Sequence, residues 1–140
     1  MHCMIISHKD LIVWQKAVAL AGKVYAATRR LPRDERFGLS LQLRRAAIAI
    51  PSNIAEGSAR RTRSEFVQYL HVARGSLSEV ETQMLIVRDQ GLLRASDCLL
   101  EDIAEIGRML NALMSRLSVN RQAAHAKACS PAHQPPTANR

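Results

Sequence analysis

Arginines in three short clusters are the residues of this chain best suited to chemistry: Arg29, Arg30, Arg33 and Arg36, then Arg44 and Arg45, then Arg60, Arg61 and Arg63. A guanidinium is planar, always charged and donates two parallel hydrogen bonds, which matches it to phosphate or carboxylate. Such clusters hold the backbone of an acidic polymer such as RNA or DNA, or pair with carboxylates of a neighbouring chain. The pattern shows no interleaved aromatics for base stacking, so a nucleic acid would be held through backbone charge rather than sequence.

Other chemistries lack their residues. There is no GxxxxGK[ST] phosphate loop, no GxGxxG, no GxSxG elbow and no HExxH. A di-iron site in a helical bundle needs Glu-x-x-His pairs, and no glutamate here has a histidine three positions later. His71 stands alone in mid-chain. Glu79, Glu81, Glu101 and Glu105 are the dense carboxylates, and helical spacing makes them a solvated or interface face. No nucleophile and base pair emerges, so the protein is expected not to be an enzyme and to need no metal or other cofactor.

The chain has 140 residues and a net charge of +8, enough length for one domain with a real core. Aromatics are scarce and aliphatics plentiful, as suits helix seams. Charge is uneven along the chain. Residues 1–74 hold 13 Lys and Arg against 5 Asp and Glu, whereas residues 75–118 hold 4 against 7. The basic half can serve a nucleic acid or meet the acidic half of a neighbouring copy. Cys3, Cys98 and Cys129 are odd in number and form no CxxC pair, which points away from disulfides and zinc and towards the cytoplasm. No run is long enough to span a membrane, and the apolar run in MHCMIISHKD is too short for a secretory signal to be expected.

Four helices are needed to position the arginines. Asp10 is a suitable N-cap for a first helix reaching about Arg30. Its seam is Leu11, Trp14, Val18, Ala21, Tyr25 and Thr28, widened by Val13, Ala17, Leu20 and Val24, with Trp14 expected in the core. A second helix runs from about Glu35 to Arg60, with a kink or break expected between Ala47 and Pro51 and with Ser52 and Asn53 satisfying freed backbone groups. Thr62-Arg63-Ser64-Glu65 has the capping-box pattern and starts a third helix. That helix keeps a four-three seam of Phe66, Leu70, Ala73, Leu77, Val80, Met84 and Val87 and stops at Gly91. Gly75 is read as a close approach of a neighbouring backbone. Ser96 or Asp97 caps a fourth helix with the seam Leu99, Ile103, Ile106, Leu110, Leu113 and Leu117, ending near Ser118. Short loops make sequential helices antiparallel neighbours. The expected fold is all-α, an antiparallel up-down-up-down four-helix bundle over residues 9–118 with a disordered C-terminal tail, 119–140.

The second helix carries one apolar face too many. Leu39, Leu43, Ala46, Ile50 and Ile54 fall on one side, and Leu41, Ile48 and Ala55 fall nearly opposite. A bundle shelters one face, so the other asks for another subunit. The expected oligomer interface is Leu41, Arg44, Arg45, Ile48 and Ala55, with Arg44 and Arg45 facing a neighbour's carboxylates. The expected nucleic-acid contacts are Arg29, Arg30, Arg33, Arg60, Arg61 and Arg63.

LIVWQKAVALAGKVY, FGLSLQLRRAAIAIPSNIAEGSARR, EFVQYLHVARGSLSEVETQ and EIGRMLNALMSRL together resemble the four-helix bundle family encoded by intervening sequences of bacterial large-subunit ribosomal RNA genes. The resemblance covers about residues 9–118, and RRAA-x-x-IPSNIAEG is its most specific block. It implies an antiparallel four-helix protomer assembled as a ring-like homopentamer. The family also looks related to the accessory variability protein of diversity-generating retroelements, which implies binding to a reverse transcriptase and RNA. Arg44, Arg45, Ser52, Asn53, Glu56, Gly57 and Arg60 match the block, and no catalytic residues come with it. The expected function is therefore a non-enzymatic oligomer that binds structured RNA or another nucleic acid through a basic surface. The alternative is an interaction scaffold docking a protein partner such as a reverse transcriptase.

Overall fold

The computed structural model describes residues 7–97 and 99–128, with side chains described to residue 119 except at position 96. Four helices carry the fold: α1 (Ile12–Thr28), α2 (Leu39–Ser58), α3 (Arg63–Asp89) and α4 (Leu100–Ala128). No strand occurs among the described residues. Each helix packs on its neighbours in sequence, and α4 closes the square against α1. The pairs Lys16–Glu105, Lys23–Asp102 and Arg30–Asp97 run in opposite numerical order, which sets α1 and α4 antiparallel.

The capping box forms as expected. Thr62 Oγ1 accepts from the Glu65 amide at 3.2 Å, while Glu65 Oε2 accepts from the Thr62 amide at 3.2 Å, so two free donors at the start of α3 are satisfied. All seven predicted seam residues of α3 are buried. The helix ends on Gly91 in the left-handed conformation, φ 68°, with the Leu92 amide reaching back to the Val87 carbonyl at 3.0 Å.

Several expectations are corrected. First, α1 begins at Ile12 after a 3₁₀ turn, His8–Asp10, that Ser7 caps; Asp10 is not its N-cap. Second, the buried edge of α1 is Val13, Ala17, Leu20 and Val24, expected only to widen the seam, together with Ala27; of the expected seam Thr28 is buried, whereas Leu11, Trp14, Ala21 and Tyr25 are half-buried and Val18 is exposed. The two rows differ by one residue, about 100° of rotation. Trp14 accordingly packs at the rim of the core, only half-buried. Third, Gly75 has open space where a Cβ would stand, so no backbone approaches it. The close approach is at Gly57, whose Cβ would lie 2.6 Å from Tyr69 Cβ and 2.9 Å from Phe66 Cδ2. Fourth, neither Ser96 nor Asp97 adjoins α4. They belong to a 3₁₀ turn, Ala95–Asp97, and Leu99 (φ 55°) stands directly before the helix.

Helix α2 continues unbroken through the buried Pro51. Ser52 Oγ donates to the Ile48 carbonyl at 2.8 Å and Asn53 Nδ2 to the Ala49 carbonyl at 2.7 Å, supporting the turn around the missing amide. Helix α4 runs to Ala128, ten residues beyond the predicted end, and residues 129–140 of the expected disordered tail lie outside the described residues.

Gly57 and Gly75 provide a paired test. Gly57→Ala is expected to lower stability by about 1–3 kcal/mol through overpacking, whereas Gly75→Ala gains about 0.5–1 kcal/mol because the site is open and helical. Urea unfolding of both variants checks the sign at each position.

Candidate nucleic-acid interface

The predicted arginines lie at two opposite ends of the bundle. Arg29 follows the last residue of α1, Arg33 opens the 3₁₀ turn Arg33–Glu35, and both belong to the α1–α2 connection; Arg61 belongs to the α2–α3 connection and Arg63 is the first residue of α3. The 20 residues of α2 separate the ends by about 30 Å. Within one protomer the structure therefore makes two small basic patches, not one.

Two of the six predicted contacts are engaged within the protomer. Arg30 pairs with Asp97 at 3.3 Å. Arg60 Nη2 donates to Glu56 Oε1 at 2.6 Å and to Tyr69 Oη, and its guanidinium stacks on the Tyr69 ring at 4.8 Å. The Tyr69 hydroxyl donates to Glu56 at 3.1 Å, closing the triangle. The hydrogen bond to Glu56, chiefly, with an electrostatic contribution from Tyr69, holds the Arg60 guanidinium above its ordinary pKa range. Glu56, Gly57 and Arg60 of the motif block thus fasten the end of α2 to the start of α3. The guanidinium groups of Arg29, Arg33, Arg61 and Arg63 make no hydrogen bond or ion pair with the described residues and face solvent.

The expected interface residues divide in the same way. Arg44 is half-buried, donates from Nε to Thr28 Oγ1 at 2.9 Å and stacks over Tyr25 at 4.8 Å, whereas Arg45 is exposed and unpaired among the described residues. Leu41 and Ile48 retain 37% and 44% of their surface, and Ala55 is half-buried. Helix α1 extends this apolar face. Trp14, Val18 and Ala21 stand opposite Ile48, Pro51 and Ala55 along a shallow groove of about 310 Å³, with His8 and Ser52 at its edge.

The charge imbalance between the halves has a use beyond the two expected. Lys16, Lys23 and Arg30 of the basic half neutralise Glu105, Asp102 and Asp97 of the same chain, at 3.1, 2.7 and 3.3 Å. The acidic helix α4 is therefore partly spent on its own α1.

Sequence reasoning missed Phe37, which is 81% exposed in the α1–α2 connection with the Arg36 guanidinium 5.4 Å from its ring centroid. The expectation that no aromatic accompanies the arginines is corrected by it. Its signal was present: an aromatic between Arg36 and Gly38, in step with neither helix seam. Among the described residues no three His, Cys, Asp or Glu are grouped to hold a metal ion, and no helix is long and apolar enough to cross a membrane.

These features define an antiparallel four-helix bundle with basic ends and an uncovered apolar flank. The chain belongs to the 23S rRNA-intervening sequence protein family, whose profile matches residues 9–112. A crystal structure of a protein of unknown function, from the S23 ribosomal protein family of Bacteroides thetaiotaomicron, shares the fold. It is 21% identical, with a TM-score of 0.69 over 74% of this chain and 98% of that one. No curated protein matches the chain.

The Lys16–Glu105 and Lys23–Asp102 bridges are exposed and Arg30–Asp97 is only partly sheltered, so each is expected to contribute under about 1 kcal/mol. Replacing Lys16, Lys23 and Arg30 together with Gln lowers urea stability modestly in dilute buffer. The difference from wild type closes in about 1 M salt, where screening is short-ranged.

Proposed function

We propose that the protein is a non-enzymatic homo-oligomer that holds structured RNA, or another nucleic acid, through arginines displayed at the ends of its bundle. One observation carries this reading. The acidic surface of α4 is partly neutralised from within the chain, while Arg29, Arg33, Arg61 and Arg63 keep free guanidinium groups. Surplus cation at exposed turns is suited to phosphate, and counterion release supplies the affinity.

A single protomer offers only two weak patches. Copies joined along the α1–α2 flank would repeat them on one particle, and repeats reached by one RNA act at high effective concentration. The apolar row Leu41, Ile48 and Ala55 with Trp14 and Val18 supports that joining, because a second chain would remove it from water. A ring of five is the arrangement that the family resemblance implies.

Filter binding to a structured RNA between about 50 and 200 mM salt tests the proposal. Affinity is expected to fall steeply with salt. The variant R29Q/R33Q/R61Q/R63Q is expected to bind more weakly and with a shallower salt dependence at unchanged helical content. Wild-type protein that binds no RNA at the lowest salt overturns the proposal.

A further inference from the structure

Phe37 has the largest exposed fraction of the bulky hydrophobic residues described, although phenylalanine is ordinarily a core residue. It lies in the connection between α1 and α2, which the Pro32–Glu35, Arg33–Arg36 and Glu35–Gly38 backbone hydrogen bonds hold in successive tight turns. The ring has a cation on one side, Arg36, at 5.4 Å. Gly38 follows with no side chain to shield it. Arg29 and Arg33, with free guanidinium groups, belong to the same short connection.

We propose that Phe37 is a stacking platform for an unpaired base of single-stranded nucleic acid, with Arg29 and Arg33 holding the adjoining phosphates. This rests on the nucleic-acid role proposed above and assigns it to one end of the bundle. Every base offers a π-face to an aromatic ring, so the contact is tolerant of sequence but not of duplex structure. Arg36 behind the ring completes a cation–phenyl–base stack. An apolar contact with another protein fits less well, since the Arg36 cation beside the ring would lose its water on docking.

The full chain, with Phe37→Ala and Phe37→Trp, is titrated into labelled oligouridine of about 12 nucleotides and into an RNA duplex of matching length, with the molar mass of each variant measured alongside. Phe37→Ala is expected to weaken single-strand binding about tenfold, leaving duplex binding and the salt dependence unchanged; Phe37→Trp retains wild-type affinity. If wild type binds RNA and Phe37→Ala binds the single strand equally well, the platform is overturned while the charge-based role stands. If wild type binds neither RNA, both fall. A lower molar mass for Phe37→Ala would place the ring between subunits and overturn the platform alone.

Discussion

Helix α2 is apolar along two opposite edges, and one bundle can cover only one of them. Its inner edge, Leu43, Ala46, Ala47, Ile50 and Ile54, is fully enclosed by α1, α3 and the rest of the core. That enclosure depends on a backbone approach that only glycine permits at Gly57, where α3 crosses. The Glu56, Arg60 and Tyr69 triangle then fixes the exit of α2 on the same neighbour. With α2 held this tightly from inside, Leu41, Ile48 and Ala55 have no rotation available that would bury them. The outer edge is a consequence of the inner one.

Charge follows the same geometry. Helix α1 stands between two neighbours, α2 and α4, and turns Lys16 and Lys23 towards Glu105 and Asp102 of α4, while Arg30 just after α1 meets Asp97 in the turn before α4. These bridges contribute little to stability, but they determine which cations stay free. Of those left over, Arg29, Arg33, Arg61 and Arg63 lie at or beside the connections, and Arg45 lies on α2. An apolar flank and two basic ends therefore occupy different surfaces, so assembly through one leaves the other accessible.

The sequence made local structure readable and left long-range choices open. The Thr62 and Glu65 capping box and the four-three seam of α3 are decided within a few residues, and both were legible. In α1 both edges are apolar, so nothing local distinguishes the buried row of Leu20 and Val24 from the rim row of Trp14 and Val18. The pairing of Lys23 with Asp102 spans 79 residues and leaves no local trace. Gly75 and Gly57 carry the same propensity cost, and only the crossing of α2 with α3 tells them apart. Helix α4 outlasts its seam because the stretch Gln122 to Ala128, QAAHAKA, keeps high helix propensity after its apolar period is gone. The arginines were legible as a set. Their division into engaged and free groups needed the packed chain.

Molar mass in solution, measured by light scattering over a range of concentrations, tests most directly whether the outer edge of α2 is covered by another copy. A multiple of the 15.6 kDa protomer is expected for wild type, falling to 15.6 kDa in Ile48→Glu while helical content is kept. Wild-type protein that remains at 15.6 kDa at every concentration would contradict such assembly.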